Sequence, residues 1–248
     1  MLDRTKFLRP IAHRGLHTPA TGPVENTAPA FAAAIARGFG IECDLRPAAG
    51  GLPVVFHDLM LERLVDGTGP VAALTEADLR RLKYRGSDER ILTFAEFLDL
   101  VGGRVPLLVE VKSEWDPPDA EFLKAIGHIA SGYSGPIALM SFDPDVMAAL
   151  KEIAPAVPRG MVSGIYGREK GWWHDRLSED RAWRLSHLLE SARADPQFYA
   201  YHVAALPTPV TRFVREVLGL PLYAWTVRGE DDVRTAARWA DAPIFEGW

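Results

Sequence analysis

Gly40-Ile41-Glu42-Cys43-Asp44-Leu45-Arg46-Pro47-Ala48-Ala49-Gly50-Gly51-Leu52-Pro53-Val54-Val55-Phe56-His57-Asp58 is the stretch whose reading decides the fold. Gly40–Leu45 reads as a strand with two acids in it, and a side-chain period of two puts Glu42 and Asp44 on one face. Pro53–His57 also reads as a strand, but only seven residues separate it from Leu45. A parallel crossover needs about a dozen residues or more, and Pro47-Ala48-Ala49-Gly50-Gly51 is turn material. Arg46–Phe56 is therefore expected to form a hairpin that leaves the strand end and returns. That geometry brings His57 and Asp58 to the rim that carries Glu42 and Asp44.

Outward from this stretch, short apolar runs alternate with amphipathic ones. The expected strands are Phe7–His13, Gly40–Leu45, Pro106–Lys112, Pro136–Ser141, Arg159–Ser163, Phe198–Val203, Pro221–Val227 and Pro243–Glu246. Val, Ile, Leu and aromatics enrich them, and Gly or Pro flanks many. Helices are expected at Thr27–Arg37, after Asn26 as an N-cap residue, and at Phe94–Val101, where Thr93 and Glu96 form a capping-box pattern. Asp119–Ala130, Asp143–Ile153, Asp180–Ala194, Val210–Leu218 and Asp231–Trp239 complete the helical set. Eight strands alternating with helices over 248 residues predict an α/β chain folded as a TIM-type (β/α)8 barrel, with a hairpin and a small insertion after strand two. An open doubly wound sheet is the rival, but no glycine-rich dinucleotide fingerprint follows the first strand. One domain over 1–248 is expected, with the insertion at about 46–105. Its polar, turn-rich part, Leu59 to Arg90, holds one short helical run at Glu76–Leu82 and is expected on the catalytic face.

Composition narrows the function. Hydrophobic residues make up 48% and charged residues 25%, an ordinary globular balance. The net charge of -5 argues against a nucleic-acid partner, which is usually basic in its protein. No apolar run of about 18 residues suggests a transmembrane segment. Met1 to Pro10 lacks the apolar region of a signal peptide, so a cytoplasmic location is expected. The single cysteine, Cys43, excludes an intrachain disulfide and a cysteine-based zinc site. It alternates away from Glu42 and Asp44, so it is expected to pack outward under a helix.

Polar groups gather at strand ends: His13-Arg14-Gly15, Glu42-Cys43-Asp44, His57-Asp58 and Glu110-Val111-Lys112. Three inward carboxylates, Glu42, Asp44 and Glu110, would repel one another unless a cation sits among them. An all-oxygen set suits a hard divalent cation such as Mg, Ca or Mn. His13 and His57 are proton carriers at neutral pH. Arg14 and Lys112 supply positive charge for an anionic oxygen. Together these describe phosphoryl chemistry better than carbonyl chemistry. Other readings stand beside this one: a Schiff-base aldolase or lyase using Lys112, or a barrel that binds an anion without turning it over. Glu42 and Asp44 could simply pair with Arg14 and Arg46. Glu25 could orient a histidine or satisfy the first helix. His202 is read as a barrel filler, and His128, His174 and His187 as solvated.

The ordered set His13-Arg14-Gly15, Glu25-Asn26-Thr27, Phe31, Ala34, Gly38, Glu42-x-Asp44, Pro53-Val54-Val55-x-His57-Asp58 and Glu110-Val111-Lys112 resembles the glycerophosphodiester phosphodiesterase family. Ser141-Phe142 and Trp225-Thr226-Val227 extend the likeness over most of the chain. The resemblance implies a TIM-type barrel, a divalent metal on Glu42, Asp44 and Glu110, and acid–base work by His13 and His57. It also implies substrate contacts from Trp225, and a small-molecule phosphodiester substrate split into glycerol 3-phosphate and an alcohol. The chain departs from the family pattern in three places. Arg63-Leu64-Val65-Asp66-Gly67-Thr68-Gly69 stands for an Arg-Thr-Thr run before Gly-x-Gly. Arg228 stands where Asn commonly follows Trp-Thr-Val. Phe245-Glu246 stands near the family's Thr-Asp-x-Pro. Finally, Ile165 to Arg176, rich in aromatics, follows strand five on the catalytic face and could be a lid or lipid-facing patch, or a loop whose aromatics pack back on the barrel.

Overall fold

A computed structural model describes residues 2–18, 22–166 and 176–247. A short helix α1 (Arg4–Phe7), capped by the Asp3 side chain, precedes strand β1 (Ile11–Ala12). Then come α2 (Ala28–Ala36), β2 (Gly40–Pro47), β3 (Pro53–Val55), α3 (Glu76–Arg81), α4 (Phe94–Val101), β4 (Leu107–Val111) and α5 (Ala120–Gly132). The chain continues through β5 (Ile137–Ser141), α6 (Pro144–Ile153), β6 (Arg159–Ser163), α7 (Glu179–Ser186), β7 (Phe198–His202) and α8 (Pro209–Arg212). It ends with β8 (Leu222–Val227), α9 (Glu230–Trp239) and β9 (Ala242–Phe245). Eight strands run parallel and close on themselves, because β1 pairs with both β2 and β9. This is a TIM-type (β/α)8 barrel with one extra strand. That strand, β3, pairs antiparallel with β2 at Leu45 with Val55, Arg46 with Val54 and Pro47 with Pro53, as the short Leu45–Pro53 spacing requires.

Alternation along the strands separates two apolar layers. Ile41, Cys43 and Leu45 of β2 and Leu107, Val109 and Val111 of β4 face the helices, packed with Phe31 of α2 and Phe97 of α4. The two phenylalanine rings lie 4.5 Å apart between centroids. Inside the barrel, Leu108, Met140, Val162, Phe198, Tyr223 and Ile244 pack together with Phe7 of α1. A side chain at Gly160 would begin 2.3 Å from the Phe198 ring, so glycine there makes room for the filler. Each fully buried side chain of this kind contributes roughly 1.5–3 kcal/mol. The insertion carries a third cluster, with Val54, Phe56, Val65, Leu79 and Tyr84 at its centre. By contrast, α4 packs in the helix layer of the barrel.

Several expected boundaries shift. Phe7–His13 is not one strand: Asp3 starts a helical turn, and only Ile11–Ala12 pair. Asp180–Ala194 is not one helix: α7 ends at Ser186, Leu188 turns at φ 59, and a separate 3-10 turn covers Ser191–Arg193. Val210–Leu218 becomes α8 followed by a wider turn at Phe213–Val217. Within the stretch read as a lid, Arg168, Lys170, Trp172, Trp173 and His174 lie outside the described residues. No described helix is long and apolar enough to cross a membrane.

Candidate active site

The inward positions at the strand ends converge. Leu108 and Glu110 share the inner face of β4, with the acid nearer the carboxyl end, and Asp44 sits beside Glu110 in register. Glu42, Asp44 and Glu110 each offer an oxygen within 4.8 Å of the others, and all three are buried. Burial, Asp44 and Glu110 together push the Glu42 carboxyl well above its ordinary range. Burial opposes ionisation of Asp44 too, but Lys112, His57 and Arg14 hold it well below the usual range. Glu42 Oε1 is buried and has no hydrogen-bond partner among the described residues. An orphaned carboxylate oxygen is costly, and an all-oxygen donor set that includes such an oxygen fits a hard divalent cation.

Cations frame these acids. Lys112 Nζ lies 2.7 Å from Glu110 Oε1 and 2.8 Å from Asp44 Oδ1. The second contact is one of charge, since Asp44 Oδ1 lacks a hydrogen bond of good direction. Arg14 Nη1 donates to Glu25 Oε1 at 2.8 Å, and Arg14 Nε lies 3.3 Å from Asp44 Oδ2. The loop bearing Arg14 is held tightly. Arg14 N donates to Glu42 Oε2 and Asn26 N donates to Arg14 O, both at 2.9 Å. Arg14 and Asn26 adopt φ of 56 and 57, an uncommon backbone region that clusters at functional sites. Gly15 permits the turn: its φ is 79, and a Cβ there would come within 2.9 Å of the Ala30 backbone.

His13 and His57 open onto the same cleft, of about 480 Å³, lined also by Arg14, Glu42, Glu110, Lys112 and Trp225. Asp44 is fully buried beside this lining. Each histidine meets a carboxylate through Nδ1. His13 lies 2.5 Å from Glu246 Oε1, and His57 lies 2.7 Å from Asp58 Oδ1. A carboxylate accepts only, so Nδ1 carries the proton in both rings and leaves Nε2 as the reactive nitrogen. Burial lowers the His13 pKa, against the pull of Glu246. Each carboxylate in turn meets an arginine: Asp58 accepts from Arg63 Nε at 2.5 Å, and Glu246 accepts from Arg228 Nε at 2.7 Å. The cleft is small-molecule sized. Trp225 forms part of its wall, with Phe142 at 5.3 Å and His202 at 5.1 Å between ring centroids.

Some sequence expectations change here. Asn26 is not the helix cap. Thr27 occupies the N-cap position, and the Asn26 amide donates to Asp44 Oδ2 at 2.9 Å. Among the described residues Glu25 makes no hydrogen bond to a histidine and does not cap α2; it bridges Arg14 and Arg63. Arg46 pairs with Glu114 at 2.7 Å rather than with Glu42 or Asp44. His202 lines the cleft instead of filling the barrel. Cys43 is buried against the helices. Glu246 and Arg63 join the site without standing out in the sequence as site residues: Glu246 lies where the chain departs from the resembled pattern, and Arg63 is the arginine that the resembled Arg-Thr-Thr run keeps here.

Among known proteins, the model of the glycerophosphoryl diester phosphodiesterase family matches residues 13–245. A glycerophosphodiester phosphodiesterase of Caldanaerobacter subterraneus subsp. tengcongensis is 26% identical over 236 residues, covering 90% of this chain and 87% of the relative. A phosphodiesterase of Oleispira antarctica, solved in complex with the product sn-glycerol-3-phosphate, superposes with a TM-score of 0.73 at 22% identity, covering 96% of this chain and 92% of that one. A glycerophosphodiester phosphodiesterase of Thermotoga maritima superposes with a TM-score of 0.71 at 22% identity, over 96% and 93% of the two chains.

Proposed function

Given that this chain belongs to the glycerophosphoryl diester phosphodiesterase family and is thereby a phosphoric diester hydrolase, we propose that it hydrolyses glycerophosphodiesters to sn-glycerol 3-phosphate and an alcohol, using a divalent metal and two histidines. The observation that carries this reading is the buried trio Glu42, Asp44 and Glu110 beside two carboxylate-backed histidines in one cleft. The product captured in the Oleispira antarctica relative supports the choice of substrate.

Glu42, Asp44 and Glu110 would hold the metal, as Mg, Ca or Mn. When bound, such an ion supplies charge that stabilises developing negative charge on phosphoryl oxygens. The chain's own residues do the rest. Arg14 and Lys112 sit among carboxylates, yet both border the cleft, and their remaining N–H donors hold the anionic phosphoryl oxygens. His13 and His57 divide the proton traffic: one takes a proton on Nε2 from the attacking hydroxyl, and the other, entering the step with its Nε2 protonated as well, gives that proton to the leaving alcohol. Trp225 packs against the organic part of the substrate. A Schiff-base role for Lys112 is disfavoured. Although burial opposes its charge, Asp44 and Glu110 raise its pKa and hold it as ammonium, which is a poor nucleophile.

A panel of glycerophosphodiesters assayed with chelator, then with added Mg, Ca or Mn, tests the reading. Release of sn-glycerol 3-phosphate, lost on chelation and restored by an ion, is expected. Turnover untouched by chelation would overturn the metal assignment, and ligand binding without turnover would leave an anion-binding barrel. The attacking hydroxyl is assigned to the substrate's own glycerol: its oxygen bonds to phosphorus as the alcohol leaves, and water then opens the resulting cyclic phosphate to sn-glycerol 3-phosphate, with the two histidines exchanging roles. An analogue lacking that hydroxyl is then inert, and its rapid hydrolysis would assign the attack to water.

A further inference from the structure

The geometry points to Glu246 and Arg228 as a positioning pair that fixes the ring and tautomer of His13. This rests on the reading of His13 as an acid–base group. His13 follows β1, Arg228 follows β8 and Glu246 follows β9, so the three stand on adjacent strand ends. Their backbones are tied in series: His13 N donates to Phe245 O at 2.9 Å, and Glu246 N donates to Val227 O at 3.0 Å. The side chains repeat that order. His13 Nδ1–H donates to Glu246 Oε1 at 2.5 Å, and Arg228 Nε–H donates to Glu246 Oε2 at 2.7 Å.

Each oxygen of Glu246 thus has a separate task. One holds His13, and the other is held by a guanidinium whose backbone N is itself anchored at 3.0 Å to Asp232 Oδ2 at the start of α9. With its proton fixed on Nδ1, His13 presents a bare Nε2, 3.7 Å from Glu42 Oε2 and facing the cleft. Among the described residues, Glu246 has one further charge-capable partner within 4 Å, His17, whose Nε2 lies 3.9 Å from Oε1, beyond hydrogen-bond reach. The carboxylate is therefore committed to His13. Arg228 and Glu246 are also two of the positions where the chain departs from the resembled pattern. Their direct contact makes those departures one coupled feature: a longer carboxylate with an arginine behind it.

The test combines kinetics with 15N NMR of the histidine ring nitrogens. Wild-type protein should show His13 as the Nδ1–H tautomer, and Glu246→Gln should shift it toward a mixture. The same variant should lose about 10- to 100-fold in kcat, the usual cost of removing an orienting partner, with KM within about twofold. Arg228→Ala should lose less, about 3- to 10-fold by the same argument, and Arg228→Lys should recover most of it. In a His13→Ala background, Glu246→Gln should have no further effect on kcat. Glu246→Asp keeps the charge one carbon short and should fall between wild type and Glu246→Gln, which covers the case in which the glutamine variant folds poorly. An unchanged tautomer and kcat in Glu246→Gln, with His13→Ala strongly impaired, would overturn the positioning pair alone. An active His13→Ala variant would instead overturn the acid–base reading beneath it.

Discussion

The two histidine arms of this site have the same chemistry and opposite construction. His57 meets the adjacent Asp58, and Arg63, five residues further on, forks onto Asp58. His13 meets Glu246 across 233 positions, and Arg228 reaches Glu246 from a neighbouring strand end. One arm is written locally, on the insertion that follows the β2–β3 hairpin. The other exists only when β9 closes against β1. The local arm is also cross-braced: Arg63 donates to both oxygens of Glu25, at 3.0 and 2.7 Å, and Glu25 holds Arg14. A histidine can thus be aimed either by a short loop or by barrel closure, and the two solutions should fail in different ways.

The largest effect is expected where both arms converge. On the proposed metal assignment, Asp44→Asn, Glu42→Gln or Glu110→Gln should each weaken Mn binding by calorimetry and cut turnover about 1000-fold, since several kcal/mol of electrostatic stabilisation would go with the ion. Retained ion binding in all three would place the metal elsewhere. Next, His13→Ala and His57→Ala should each cost about 100-fold or more in turnover. On the proposed mechanism both serve one proton circuit, so the double variant should lose far less than the product of the single losses. Simple multiplication would mean that the arms act independently. Asp58→Asn should cost about tenfold in turnover, as loss of an orienting carboxylate, with His57 still held near the site by its tether to β3. A larger loss than that of Glu246→Gln would reverse the expected ranking of the arms.

A smaller effect appears in stability against pH. Burial disfavours the charged Glu246, but His13 and Arg228 overcome this and lower its pKa from 4.5 to about 2. A carboxylate depressed in the folded state stabilises the protein above its unfolded pKa, and that stabilisation is lost as pH falls through the folded one. Wild type should therefore lose stability between pH 4.5 and about 2 more steeply than Glu246→Gln in urea melts. Parallel acid limbs would remove Glu246 from the closure of the barrel. The smallest effect is expected at Tyr84, beneath the local arm. Its hydroxyl is buried with no hydrogen-bond partner among the described residues. Tyr84→Phe should change stability by no more than about 0.5 kcal/mol, and in the favourable direction, because an orphaned hydroxyl is removed. A large destabilisation would reveal a partner for that oxygen.

Much of the site was legible before folding. Glu42, Asp44, Glu110 and Lys112 stand out because a period of two forces them onto the inner face of their strands. His57 was placed by arithmetic, since seven residues cannot make a parallel crossover. Asn26 and Glu25 misled, because their residue types suit a helix start, while their contacts with Asp44, Arg14 and Arg63 come from elements apart in sequence.

By itself, the sequence determined what depends on local periodicity and chain length: the alternation of strands and helices, the inward acids, the hairpin, the outward Cys43 and the place of His57 on the rim. Only the tertiary structure decided which carboxylate meets His13, which arginine backs it, and where Asn26 points. The physical reason is that strand pattern tells which face a side chain takes, but not which neighbour it meets. Ring closure brings together strand ends far apart in the chain, and no local pattern encodes that meeting.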